Sequence, residues 1–209
     1  MHLQGRARRI MRLAMAAIAG VGAVVLVLRL ERQRPITELE RAGASVMQDP
    51  DGTVRAVSFC SPNAGDDHLS LIAQLTSVAS VNLSRSQVTA DGLRRLSALP
   101  KLHTLDLSET PQCQQALAAL ANFPALKTLH LRHCEWLNDE ALRPLEHLRS
   151  LDCLLISEAD LTDAGLERLA RLPQLKFLAV DRCGKLTDAE SAGPGMHGWS
   201  RCPSMTASI

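Results

Sequence analysis

The residues best placed to do chemistry are His130, His133 and Cys134, which stand close together in Leu129-His-Leu-Arg-His-Cys134, with Asp106 a fixed interval upstream. Two imidazoles, a thiol and a carboxylate are a plausible zinc set, and a histidine beside a cysteine is the pairing that generates a thiolate nucleophile. Neither reading is taken. His133 falls in a turn, and nothing nearby supplies an oxyanion hole or a deep cleft. The six cysteines (Cys60, Cys113, Cys134, Cys153, Cys183, Cys202) are widely spread with no CxxC, whereas structural zinc sites and small disulfide scaffolds cluster theirs, so buried free thiols are expected. Asp49-Pro-Asp-Gly52 invites a calcium loop but lacks the EF-hand spacing and its closing glutamate, and reads as a turn. No P-loop, GxGxxG, GxSxG or HExxH occurs. The expectation is a protein that is not an enzyme, with no cofactor and no metal. A formal charge of +1 leaves no basic stripe for a phosphate backbone, so nucleic acid is not an expected partner.

What positions these residues is a repeat. Val57-Ser-Phe59, Val81-Asn-Leu83, Leu105-Asp-Leu107, Leu129-His-Leu131, Leu154-Leu-Ile156 and Leu178-Ala-Val180 follow at steps of 24, 24, 24, 25 and 24 residues. Within the units leucines recur in register, as in Leu93, Leu96, Leu99 and Leu102, or Leu166, Leu169, Leu172 and Leu175. The alternation predicts a short strand with two residues aimed at the core, followed by a helical stretch that buries its leucines there. One unit cannot cover that face; stacked units share it, giving a curved parallel sheet backed by helices. With 46% hydrophobic residues but only two Trp, three Phe and no Tyr, the core must be aliphatic. Thr89, Asn138, Thr162 and Thr187 are predicted helix N-caps, with Asp91, Asp139, Asp163 and Asp188 favouring the positive end of the helix dipole. The unit from Leu105 departs from the pattern at Pro111-Gln-Cys-Gln-Gln115, which predicts an irregular outer side there.

Over about residues 54 to 190 the chain resembles the leucine-rich-repeat proteins. It is close to their cysteine-containing, ribonuclease-inhibitor-like branch and similar to membrane-anchored bacterial forms. Leu129-His-Leu-Arg-His-Cys134-Glu-Trp-Leu-Asn-Asp139, Leu178-Ala-Val-Asp-Arg-Cys183-Gly-Lys-Leu-Thr-Asp188 and Leu161-Thr-Asp-Ala-Gly-Leu166 carry the resemblance, with Thr89-Ala-Asp-Gly-Leu93 a variant. The resemblance implies an α/β solenoid that binds another macromolecule, and makes Cys134 a structural cysteine; it names no ligand.

Side chains alternating with the buried strand positions should line the concave face. Among them, Asn82, Asp106, His130, Arg132, Leu155, Phe177 and Ala179 are the candidate partner-binding residues. Leu155, Phe177 and Ala179 are expected to form an exposed apolar patch edged by His130 and Arg132, the kind of feature that marks an interface. The alternatives are that Trp199 and the tail cover it, or that the register slips by one there. A protein is the expected partner.

The rest of the chain divides into a basic tail (1–12), an apolar segment (13–30), a linker and cap (31–53), repeats (54–188) and an irregular tail (189–209). Leu13 to Leu28 is an uncharged run between arginines, about 24 Å as a helix, extended by Ile10, Met11 and Leu30. It reads as one uncleaved transmembrane signal-anchor; cleavage after Ala17-Ile-Ala19 would leave an exposed apolar terminus. Arginines on both sides discriminate orientation poorly, and the repeats are assigned to the extracytoplasmic side. Thr37-Glu-Leu-Glu40 fits a capping box opening a short helix that ends near Gly43, followed by strands at Ser45 to Gln48 and Val54 to Phe59. In the last unit Ser191 replaces the expected leucine and Gly193-Pro-Gly195 follows, so the register dies. An uncapped end of this kind should be sticky, frayed, or covered by a partner or by the tail, and gives the second expectation of self-association; a truncated reading frame would look the same.

Overall fold

Six short parallel strands at one-repeat intervals make the framework that carries the candidate residues, with Arg132 in the turn just after one of them. The computed structural model describes residues 33–111, 114–183, 185 and 186. It divides into two units, Met1–Glu38 and Leu39–Ile209. The expected membrane span at 13–30 lies outside the described residues, as do Thr187, Asp188 and Trp199; among the described residues no helix is long and apolar enough to cross a membrane.

In the first unit residues 33–38 are helical. The expected capping box at Thr37 is therefore corrected: Thr37 is inside a helix, and its Oγ1 donates back to the Gln33 carbonyl at 3.1 Å instead of capping. A hydroxyl can bond the preceding turn as well as a free N–H, so the S/T-x-x-E pattern alone does not fix a helix start. In the second unit residues 39–41 are helical. The end is where it was expected, at Gly43 with φ of 97°. The Gly43 amide donates to Glu40 O and the Ala44 amide to Leu39 O, a Schellman closure that needs the left-handed glycine.

Strands β1 (Ser45–Gln48) and β2 (Val54–Ser58) form an antiparallel hairpin. Asp49 to Gly52 is its turn: Gly52 takes φ of 80°, its amide donates to Asp49 O, and the Thr53 amide donates to Asp51 Oδ1 at 2.8 Å. Strands β3 (Ser80–Asn82), β4 (Thr104–Asp106), β5 (Thr128–Leu131), β6 (Cys153–Ser157) and β7 (Phe177–Asp181) then add in order, all parallel, to one seven-stranded sheet. Helices α1 (Asp66–Ile72), α2 (Ala90–Leu96), α3 (Gln114–Leu120) and α4 (Asp163–Ala170) connect them. The fourth connection is a 3-10 helix, Arg143–His147, rather than the expected α-helix. Pro144 disfavours the α conformation at Arg143, and the bonds tighten to Leu145 N–H to Leu142 O and Leu148 N–H to Leu145 O. The core is the predicted aliphatic stack, with Leu69, Leu93, Leu117, Leu142 and Leu154 fully buried.

Two further ladders run across the repeats. Arg85, Glu109, His133, Glu158 and Arg182, one per repeat, all take positive φ of 54–61°. Next to each lies a small inward residue, respectively Ser86, Thr110, Cys134, Ala159 and Cys183, all buried. The Thr110 hydroxyl donates to Leu83 O, and the Cys134 thiol faces Arg132 O at 3.5 Å. Burial pushes the Cys134 thiol up to about 12, so it stays protonated and can act as the weak donor this position requires.

Candidate functional site

The strand pairings place the candidate residues in two rows of the same sheet face. Asn82, Asp106, His130, Leu155 and Ala179 are direct partners across β3 to β7, and Thr104, Thr128, Cys153 and Phe177 form the row beside them. The expected register therefore holds throughout, including at Phe177 and Ala179. Backbone strands about 4.8 Å apart bring successive residues of a row into side-chain contact.

The polar half of this face is built around Asp106 and His130. His130 Nδ1 lies 3.3 Å from Asp106 Oδ2, with the two side chains 18% and 20% exposed. Asp106 Oδ1 accepts the Ser108 amide at 2.9 Å, and Asn82 Oδ1 accepts the Ser84 amide in the equivalent turn one repeat earlier. Burial pushes the Asp106 carboxyl up, but the hydrogen bonds from His130 and Ser108 outweigh it and hold it below its ordinary value. With an Asp106 oxygen as the acceptor, His130 Nδ1 is the donor of this bond. The other ring nitrogen, Nε2, is buried and has no hydrogen-bond partner among the described residues. A histidine held by a carboxylate is two-thirds of a proton relay, but no Ser, Thr or Cys among the described residues bonds to Nε2 to complete it.

Arg132 follows on the same face, half-buried, its amide donating to Ser108 Oγ at 3.2 Å. Its guanidinium makes no ion pair among the described residues, whereas Arg85, Arg94, Arg143, Arg168 and Arg182 all do. The zinc set does not assemble among the described residues: His130 faces Asp106, His133 turns away to pair with Glu158 at 2.9 Å, and Cys134 points inward. Among the described cysteines Cys60 is exposed, and Cys134, Cys153 and Cys183 are buried.

The apolar half departs from expectation. Leu155 is only 3% exposed and Cys153 2%, packed with the partly buried Phe177 and Ala179. The expected exposed patch is thus a small satellite core on this face of the sheet. Alternation assigns a side chain to a face; it does not say whether large neighbours on adjacent strands then cover it.

Sequence reasoning missed the joints between helices. Asp66 of α1 accepts both the amide (2.9 Å) and the hydroxyl (2.5 Å) of Thr89, which itself caps α2 through its Oγ1. Three repeats later the arrangement returns: Asp139 accepts the Thr162 amide at 3.1 Å and its hydroxyl at 2.6 Å, and Thr162 caps α4. A Cβ at Gly92 or Gly165 would overlap these carboxylates. The Thr-x-x-Gly spacing is thus a cap plus a clearance for an acid from the preceding repeat.

These features define a parallel-sheet α/β repeat fold like that of leucine-rich-repeat solenoids, with a polar row on one face of the sheet. The family described as "Leucine Rich repeat" matches residues 124–145, about one repeat. No curated protein matches the chain. Among solved structures, internalin C2 of Listeria monocytogenes is similar at 24% identity and TM-score 0.47, over 67% of this chain and 66% of its own. The yeast Rad7 and Elc1 complex is similar at 18% identity and TM-score 0.48, over 64% and 43%. Internalin F of Listeria monocytogenes follows at 19% identity and TM-score 0.35, over 54% and 36%. This chain spans less than two thirds of the length of each.

Proposed function

We propose that this chain is a membrane-tethered, non-catalytic interaction module that holds a protein partner on the concave face at Asn82, Asp106, His130 and Arg132, with Phe177 and Ala179 at the apolar border. The observation that carries the reading is the His130 Nε2, a buried ring nitrogen in the middle of the polar row without a hydrogen-bond partner among the described residues. Such an atom costs roughly 1–3 kcal/mol, and a polar group from a bound protein removes that cost. The unpaired Arg132 beside it adds a cation free to meet a carboxylate. A photo-crosslinking side chain at Asn82 should yield a discrete adduct in cells, and one at Arg94 on the helical side should not; adducts only from Arg94 would overturn the assignment. For the tether at 13–30, a membrane-impermeant thiol reagent should reach the exposed Cys60 in intact cells if the repeats are extracytoplasmic, and labelling only after lysis would reverse the orientation.

A second reading, self-association through the last repeat, is favoured by one observation. Leu178 and Val180 of β7 are only half-buried, whereas their β6 equivalents Leu154 and Ile156 are 0% and 1% exposed. Replacing both by Ser should abolish concentration-dependent association on a sizing column and leave crosslinking at Asn82 intact.

A further inference from the structure

Charged groups at the two ends of the strands are disposed differently. At the exit end they are paired: Arg85 with Glu109, His133 and Arg182 with Glu158, and Lys185 with Asp160. At the entry end of β4 to β7 the exposed Lys101, Lys127, Arg149 and Lys176 make no ion pair among the described residues. The helix dipole does not explain the lysines, because it acts within the last turn, and Lys101, Lys127 and Lys176 lie beyond the ends of α2, α3 and α4.

The backbone sets this edge in a line. The Lys127 amide donates to His103 O at 2.8 Å, the Asp152 amide to Lys127 O at 2.9 Å and the Lys176 amide to Asp152 O at 2.8 Å. His103, Lys127, Asp152 and Lys176 therefore hold the same position immediately before β4, β5, β6 and β7, at a strand spacing of about 4.8 Å. Lys101 and Arg149 stand just upstream of His103 and Asp152. Partial burial, and then the Lys127 ammonium, hold His103 below its ordinary value, with Asp152 opposing them. At neutral pH the imidazole is thus uncharged, and the lysines and Arg149 supply the positive charge of the edge.

We propose that this strand-entry edge docks an acidic segment of a partner protein, whose carboxylates meet Lys101, Lys127, Arg149 and Lys176. Exposed cations without an ion pair of their own are what electrostatic complementarity needs, because they steer and hold an acidic ligand with no internal pair to break first. Asp152 selects the class of ligand. It is half-buried between Lys127 and Lys176 in the row, so a continuous layer of phosphates, as on a lipid surface, brings negative charge against it. A protein segment can leave out a carboxylate at that one position. The edge lies outside the row of Asn82, Asp106 and His130, and the proposal stands whether or not that face binds a protein.

Fluorescence anisotropy of a labelled oligo-glutamate peptide, titrated at low salt with the detergent-solubilised full chain, tests it. Lys127→Glu with Lys176→Glu should weaken binding about ten-fold or more. Arg94→Glu with Arg95→Glu, which alters the net charge equally on the helical side, should change it less than about two-fold. Asp152→Asn, which removes the opposing charge and leaves the lysines in place, should tighten it. No binding by the unaltered chain, equal losses in the two double variants, or an Asp152→Asn chain that binds no tighter would overturn the proposal. Lipid is distinguished by reconstituting the full chain in phosphatidylcholine vesicles with and without phosphatidylglycerol. Lys127 and Lys176 should react equally with an amine-labelling reagent in both, and protection confined to the anionic vesicles would assign the edge to lipid headgroups instead.

Discussion

Replacing Gly165 by Ala should destabilise the chain, although the same change inside an ordinary helix stabilises it. Alanine in place of a helical glycine is worth roughly 0.5–1 kcal/mol in favour of the helix. At Gly165 the new Cβ would overlap the Asp139 carboxylate, while the next neighbour, Leu142 Cδ1, is at an ordinary 3.5 Å. The cost therefore falls almost entirely on Asp139, whose oxygens accept the Thr162 amide and hydroxyl at 3.1 and 2.6 Å. Hydrogen bonds to a charged group contribute about 1.5–3 kcal/mol, and displacing the carboxylate forfeits most of that. The net loss should be about 1–2 kcal/mol, read as a lower urea midpoint with unchanged slope. Asp139→Ala supplies the control: with the carboxylate gone, Gly165→Ala should become neutral or stabilising. That reversal of sign is a pairwise coupling that a double-mutant cycle isolates. If Gly165→Ala stabilises the chain that retains Asp139, the glycine is not making room for the acid and the joint contributes nothing.

Acid sensitivity should follow from Asp106. Its folded carboxyl lies below the ordinary 3.8, so the ionised form adds stability that is complete above that value and is lost as the pH falls through the lower folded one. Urea midpoints measured from about pH 5 to pH 3 should fall more steeply for the unaltered chain than for Asp106→Asn, and parallel curves would refute the pairing with His130. Thiol reactivity should divide the cysteines: at pH 8 the exposed Cys60 should react at once, and Cys134, buried with its thiol pushed up to about 12, only on unfolding. Equal rates for the two would show that the inward ladder opens readily.

The fold was legible because its signal is repeated. Five successive steps of nearly constant length give the same strand and the same leucines, so an ambiguity in one unit is resolved by the next, and the pairing of Asn82, Asp106 and His130 follows from arithmetic. Thr89 and Thr162 were legible as caps because capping is local, acting on amides two or three residues away. The acids that bind those threonines were not, since Asp66 and Asp139 act 23 residues downstream and only across helices already stacked. The burial of Leu155 was hidden for a related reason: facing is a property of one strand, and coverage is a property of several. The 3-10 helix at Arg143–His147 could have been suspected from Pro144, which the leucine spacing alone overrode.

What this face can offer a partner is the remainder after the fold has taken its share. Ser108 and Ser157 point from the concave sheet, but their hydroxyls accept the amides of Arg132 and His133. One oxygen each of Asn82 and Asp106 closes a turn, and the other Asp106 oxygen holds His130. In a repeat protein this consumption is periodic, because each unit must end its strand and turn its chain in the same way. Departures from the period are consequently the most informative positions. Arg132 stands in the column of Ser84, Ser108 and Ser157, and His130 follows Asn82 and Asp106; each replaces a residue that the turn would otherwise use. Arg132 makes no ion pair among the described residues, and the buried Nε2 of His130 has no partner there, which is costly. His130 on β5 and Arg132 in the turn that follows it put both departures at one place on the sheet face.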